Sequence, residues 1–237
     1  MLQPRQGRRE PPVPARVLMT FTRLDFHDSL ELAAGAPQRH IVDCPFLEIT
    51  WQGREIGISG PAPGAPYAVM VLEKLVALGA RLIIALGWAG SLQPEARVGD
   101  LIVPVAALSE EGTSPHYPNY TTVAQPDEGL CRAIQANLAA KGLPYHAGPI
   151  WTTDAIYRET KGKVTSYGRQ GLWAVEMEMS ALFTVARYRG VALAGLLVIS
   201  DELFTLTWRH GLRDERLHQA RRQARQTVLA TLHTYQL

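Results

Sequence analysis

The run Arg81-Leu-Ile-Ile-Ala-Leu-Gly87 decides the fold, together with the helix that leads into it. Its apolar residues follow one another without polar alternation and are too few for a helix of their own, which is the pattern of a strand buried on both faces. Just upstream, Val69, Leu72, Leu75, Val76 and Leu78 recur at helical spacing over Pro66–Leu78, and Gly79 stops that helix. Downstream, Leu101–Val105 reads as the next strand after a turn at Arg97–Asp100. With Glu55–Ser59 reading as a strand ahead of the helix, the order strand, helix, strand points to the α/β class.

Working outward, Arg16–Phe21 reads as a first strand and Leu24–Ala34 as a short helix. Phe46–Trp51 and Glu55–Ser59 read as a hairpin turning at Gln52–Arg54. Toward the C-terminus the pattern predicts helices at Asp127–Lys141, Val175–Tyr188 and Asp214–Thr234, with strands at Gly148–Trp151 and Val191–Ile199. No repeat and no glycine/serine linker divides the chain, so the expected organisation is a tail over 1–15 followed by one domain over 16–237. In the last helix, Arg216, Arg221, Arg222 and Arg225 are interleaved with Gln and His, and a solvated or oligomer-facing surface is expected there.

Composition narrows the function. The chain has 237 residues with 24 basic and 22 acidic side chains, a net charge of +2, too small to favour nucleic acid or an anionic membrane as partner. Hydrophobic residues make up 46%, ample for a core, and charged ones 19%, too few for a disordered chain. Cys44 and Cys131 form no CxxC or Cys/His cluster, so neither a disulfide framework nor a zinc site is expected, and a reducing, cytoplasmic location fits. The apolar stretches around Leu82–Leu92 and Val191–Ile199 fall short of the roughly 18 residues of a membrane helix. Residues 1–15 hold no apolar run, so a soluble protein without a secretory signal is expected.

No GxGxxG, Walker loop, HExxH or GxSxG motif occurs, which removes the usual signatures of dinucleotide, nucleoside-triphosphate, zinc-protease and serine-hydrolase sites. Three features stand at predicted strand ends or helix starts, where ligands gather in open α/β sheets. They are the glycine-rich turn Gly87-Trp-Ala-Gly90, the acidic Glu176-Met-Glu178 opening a helix, and Ser200-Asp201 after an apolar strand. Partial burial would raise the pKa of Asp201 enough for proton donation, whereas a plain helix N-cap is its structural alternative. Two residues apart on a helix, Glu176 and Glu178 point about 200° from each other. One would bind a ligand while the other anchors structure. A carboxylate is a natural clamp for a cis-diol, although acidic residues in a first turn also suit the helix dipole.

The segments Gly87-Trp-Ala-Gly-Ser-Leu-Gln-Pro-Glu-Ala-Arg-Val-Gly-Asp100, Glu111-Gly-Thr-Ser-Pro-His-Tyr117, Val175-Glu-Met-Glu178 and Ile199-Ser-Asp201 occur together in this order. In them the chain resembles the nucleoside phosphorylase and nucleosidase family, which includes uridine phosphorylase, hexameric purine nucleoside phosphorylase and methylthioadenosine nucleosidase. The similarity runs from Arg16 to Leu232. The resemblance implies a single three-layer α/β/α domain with a central mixed sheet, and cleavage of a ribose–base bond through a transition state of oxocarbenium character. It implies that Glu178 binds the ribose hydroxyls with Met177 against the sugar and Glu176 beside them. Asp201 matches the acid that serves a departing purine at N7. The base site would be formed by Thr153, Ile156, Tyr157, Ser200 and Phe204. Ile156 stands where the family commonly stacks an aromatic residue, and Tyr157, Phe204 or Trp208 would take over that contact.

The departure lies at phosphate. Ala85 and Trp88 stand where the phosphorylases carry arginine and serine or threonine, leaving Arg23, Gly87 and Trp88 as candidate phosphate contacts. The implied activity is phosphorolysis of a purine nucleoside to free base and ribose 1-phosphate, with phosphate as co-substrate and with no metal or organic cofactor. Hydrolysis is the rival, with Asp25 in place of the nucleosidases' water-activating glutamate. A catalytically silent nucleoside-binding member is the third reading. Assembly into a homo-dimer or hexamer is implied as well, with His116 and Tyr117 as candidates to cross the interface.

Overall fold

A computed structural model describes residues 2–33, 35 and 37–236. In chain order the elements are β1 (Arg16–Thr20), α1 (Arg23–Leu30), β2 (Arg39–Ile41), β3 (Cys44–Trp51), β4 (Arg54–Ser59), α2 (Ala65–Ala77), β5 (Leu82–Ser91) and β6 (Leu101–Glu110). Then follow β7 (Val123–Ala124), α3 (Glu128–Ala140), β8 (His146–Thr153), α4 (Lys161–Arg169), β9 (Ala174–Glu176), α5 (Met179–Arg189), β10 (Ala192–Glu202), β11 (Arg209–His210) and α6 (Glu215–Thr234). The strands form one mixed sheet in the order β11-β10-β6-β8-β9-β5-β1-β4-β3-β2, with β7 on β6. β10 also pairs with β5, in parallel, so β5, β10, β6, β8 and β9 close into a ring.

Alternation along β5 explains the unbroken apolar run. Ile83 and Ala85 pack with Leu72 and Leu75 of α2 and Leu182 of α5. Leu82, Ile84 and Leu86 pack on the other face with Ile134 of α3, Val228 of α6 and Phe26 of α1. Helices thus cover both faces of the sheet, the three-layer arrangement that the resemblance implies. The hairpin turns as predicted: Trp51 pairs with Arg54, and Gln52 and Gly53 bridge them with φ of 48° and 80°, the left-handed pair that a two-residue turn requires.

Three of the differences from the sequence reading lie at the site. The stretch Gly87–Gly90 is no turn, because β5 runs through it to Ser91 and Gly87 pairs with Leu197 in mid-sheet. Its glycines serve close packing: a Cβ on Gly87 would stand 2.9 Å from the Phe21 ring. β10 likewise passes through Ser200 and Asp201, with an irregularity in its pairing between Ile199 and Asp201. The third difference is at the acidic motif. Glu176 ends a strand, and α5 begins only at Met179.

Candidate active site

A cleft of about 250 Å³ opens where β5, β9 and β10 end together. It gathers Trp88, Ile156, Glu176, Met177, Glu178, Ser200 and Asp201 from the predicted set, and adds Phe21, Thr22, Pro63, Ala89, Gly90, Glu159 and Val175. Arg23, Gly87, Thr153, Tyr157 and Phe204 lie outside its lining. A larger groove of about 820 Å³ runs along α2 and is lined by His116 and Tyr117, but by none of the predicted catalytic or ribose-binding residues.

At one end of the cleft, Glu176 and Glu178 are buried in a rigid polar frame. Since Glu176 is in a strand, the opposed orientation expected for a helical pair does not hold. One Glu176 oxygen accepts from the backbone N–H of Glu178 at 2.6 Å and of Met179 at 2.8 Å, and the other accepts from the Thr152 hydroxyl. Thr152 in turn accepts from the Ser180 N–H at 3.0 Å, so strand residues supply the caps that the first turn of α5 lacks. Glu178 is left with one strong donor, the Gly64 N–H at 2.6 Å. Gly64 sits at φ 83° in front of α2, a left-handed conformation open to glycine, and this aims its N–H at the carboxylate.

Both carboxyls are pushed above the ordinary glutamate range, first by burial. In Glu178 the Glu176 charge adds to that rise. With three donors on Glu176, the charge settles there and Glu178 carries the higher pKa.

At the other end, the Ser200 hydroxyl donates to Asp201 Oδ1 at 2.7 Å and the Trp208 indole N–H donates to Oδ2 at 3.0 Å. A Cβ on Gly90 would stand 3.1 Å from Oδ2, so this residue must be small for the carboxylate to reach the cleft. Trp208 therefore meets Asp201, a contact that its place in an exposed loop did not reveal in the sequence. Glu159, from the loop following the helical turn Ile156–Arg158, also lines this end. Its pKa is raised to about 7, by burial and then by the Asp201 charge.

The phosphate candidates are dispersed. Arg23 is exposed at the start of α1, Gly87 is covered by Phe21, and only Trp88 reaches the cleft. Behind Trp88 lies a residue that the sequence reading assigned to a solvated or oligomer-facing helix face. Arg221 of α6 is 5% exposed, with its guanidinium 5.2 Å from the Trp88 ring centre. It donates to Asp25 at 2.8 Å and to Asp28 at 2.8 Å. Asp25, the candidate water activator, is thereby held in an ion pair outside the cleft lining. Burial still raises its pKa, against the opposing pull of Arg221. A charged side chain every turn looks like a solvated stripe until a carboxylate from another element buries one of its members. Arg216 and Arg222 do remain exposed.

Known proteins resemble this chain over most of its length. The model of the phosphorylase superfamily matches residues 16–234. Guanosine phosphorylase of Halorubrum lacusprofundi is 29% identical over 179 residues, which cover 76% of this chain and 72% of that protein. Purine nucleoside phosphorylase DeoD-type of Bacillus cereus is 29% identical over 158 residues, 66% of this chain and 67% of that protein. Among solved structures, uridine phosphorylase of Vibrio fischeri superposes with a TM-score of 0.86 at 25% identity over 98% of each chain. Purine nucleoside phosphorylase of Toxoplasma gondii shares the fold with a TM-score of 0.85 at 18% identity, over 98% of this chain and 96% of its own.

Proposed function

The chain belongs to the phosphorylase superfamily, and from that premise we propose that it is a nucleoside phosphorylase, cleaving the N-glycosidic bond of a purine nucleoside with phosphate to give free base and ribose 1-phosphate. The observation that carries this reading is one cleft with the Glu176/Glu178 frame at one end and Asp201 at the other. Glu178 accepts the ribose hydroxyls, Met177 packs against the sugar, and Glu176 fixes the backbone that carries both. As the C1′–N9 bond breaks, its electron pair passes to the base and Asp201 donates a proton or a strong hydrogen bond at N7. Phosphate closes the reaction by bonding C1′. Ser200 and Ile156 flank the base. Relatives named for guanosine and purine nucleosides support a purine, while the uridine phosphorylase likeness leaves the base to be settled by assay.

Hydrolysis is kept as the second reading on a specific observation. The described residues that line the cleft include four carboxyl groups, Glu159, Glu176, Glu178 and Asp201, and no Lys, Arg or His. Phosphate binding is ordinarily built on such cations. Under the first reading Arg23, or a residue of a neighbouring copy in a homo-oligomer, supplies the positive charge.

The test incubates the protein with guanosine, inosine, adenosine, methylthioadenosine and uridine, with and without phosphate, and separates the products. Base and ribose 1-phosphate formed only with phosphate support phosphorolysis. Base and free ribose regardless of phosphate transfer the assignment to hydrolysis, and no base from any of them removes both.

A further inference from the structure

Beside the Glu176/Glu178 frame lies a third carboxylate that the proposed chemistry does not use. Glu111 follows directly on β6, is 5% exposed, and stands outside the cleft lining. Its two oxygens serve different elements. Oε2 accepts from the backbone N–H groups of Thr113 at 2.6 Å and Ser114 at 3.0 Å, which closes the loop after β6. Oε1 accepts from the Ser109 hydroxyl at 2.7 Å and, from α5, the Ser180 hydroxyl at 3.0 Å. Burial works against a charge here, yet the donors of Ser114, Ser109 and Thr113 hold the Glu111 carboxyl below the ordinary glutamate range. Glu176 senses that charge: burial raises its pKa, and Glu111 raises it further.

Ser180 joins this anion to the site. It is fully buried in the first turn of α5, its N–H donates to the Thr152 hydroxyl oxygen at 3.0 Å, and Thr152 donates onward to Glu176. Glu176 in turn holds the N–H groups of Glu178 and Met179. A hydrogen-bonded path therefore runs from Glu111 through Ser180, Thr152 and Glu176 to the backbone of Glu178. That first turn has no side-chain cap at Glu178 itself, so its position depends on what grips it from outside.

We infer that Glu111 is a positioning residue for ribose recognition, acting through Ser180 on the first turn of α5 and thereby on the Glu178 carboxyl. The inference rests on the reading of this end of the cleft as the ribose site. Glu111 touches no substrate; it fixes a group that does. A clamp for two adjacent hydroxyls works only while its oxygens stay within about 0.5 Å of the productive geometry. When the turn that carries it loosens, the hydroxyl-dependent part of recognition is lost first. The penalty then falls on a ribonucleoside and spares its 2′-deoxy counterpart, which lacks one of the two hydroxyls. A residue that merely stabilises the fold would penalise both alike.

Glutamine at position 111 isolates the link to α5. The N–H groups of Thr113 and Ser114 can only donate, so the amide oxygen stays with them and the amide NH2 turns to the two hydroxyls, which reverse to accept. The loop remains closed, and the charge-assisted bond to Ser180 becomes a neutral one, roughly half as strong. Alanine at position 180 removes the bond altogether.

The experiment measures kcat and KM, with phosphate present, for guanosine against 2′-deoxyguanosine and for uridine against 2′-deoxyuridine, in the wild type, S180A, E111Q and the double variant. The ribo-to-deoxyribo ratio of kcat/KM is taken within each preparation, so incomplete folding lowers both substrates and leaves the ratio meaningful. The expected result is a ribonucleoside preference in the wild type that falls by about 10-fold in S180A, the low end of what a hydrogen bond to a charged group contributes. In E111Q it falls by about 3-fold, since a neutral bond remains. Both losses are carried by KM of the ribonucleoside, and the double variant falls no further than S180A, because the two substitutions cut one path. An unchanged ratio in either single variant, or a wild type without ribonucleoside preference, overturns the role of Glu111 and leaves the phosphorylase reading standing. Losses that multiply in the double variant place the two residues on separate paths and overturn it as well. Should E111Q fail to fold, S180A decides alone. If the wild type turns over none of the four nucleosides, their calorimetric binding decides: a ribonucleoside preference that weakens in S180A removes the enzymatic reading and retains Glu111 as the positioning residue, whereas an unchanged preference or no binding removes both.

Discussion

Asp201 and Glu178 illustrate how two carboxyl groups in one cleft acquire different work from their neighbours. Asp201 meets two side-chain donors at the open end, whereas Glu178 is enclosed beside another carboxylate with one backbone donor. Asp201→Asn keeps the hydrogen-bonding shape and removes the proton, so release of base from a purine nucleoside should drop by about 10² or more. Near-normal release by that variant would remove Asp201 from the role of acid. For Glu178 the consequence is one of stability. Its pKa in the folded chain lies above the ordinary value of 4.5, so the folded state holds the proton more tightly than the unfolded one. The stabilisation is then complete below that ordinary value and is lost as pH rises through the raised one. Glu178→Gln should flatten the decline of the melting temperature between about pH 5 and pH 8. Parallel melting curves for variant and wild type across that range would show that Glu178 is not the titrating group. The chemistry of these residue types was legible in the chain itself. The partners that tune them were not, because Gly64 and Trp208 reach them from distant segments.

At the scale of elements, α6 links the C-terminus to the floor of the site. Arg221 is enclosed between two acidic side chains of α1 and the indole of Trp88. Arg221→Met would leave Asp25 buried without its cation, and removal of one partner of a buried pair costs about 3–5 kcal/mol. Urea unfolding should report a loss of that order, and a change within about 0.5 kcal/mol, the range of ordinary surface substitutions, would contradict the ion pair. The start of α2 is sensitive in a different way. Gly64→Ala places a Cβ at φ 83°, a strain of order 1–3 kcal/mol, and relief by backbone movement would turn the N–H away from Glu178. The expected outcome is a rise in KM for nucleoside accompanying the lower stability, and an unchanged KM would detach this N–H from the ribose end. Helix periodicity located both elements correctly. It could not distinguish the one buried arginine of α6, since periodicity reports which face is apolar and is silent on a charged residue that another element neutralises.

For the whole molecule, the open question is assembly. The groove along α2 includes Met70, half of whose surface is exposed, and is flanked by the Tyr117, Glu73 and Arg189 network. Light scattering coupled to size exclusion is expected to give a mass of two or six chains of 26.1 kDa, and a monomer at working concentration would refute the homo-oligomer. The sequence by itself determined the class of fold, because an apolar run too short for a helix, placed between helical periodicities, has few ways to be buried on both faces. It also determined the residue types of the site, since Glu176, Glu178 and Asp201 stand in motifs that can be read locally. Only the tertiary structure decided that Gly87–Gly90 is strand, that Glu176 caps a helix it does not belong to, and that Glu159 faces Asp201. Each of these depends on groups far apart in the chain, such as Phe21 above Gly87 or Thr152 beside Glu176. Local spacing holds no record of such encounters, because long-range packing and pairing fix them.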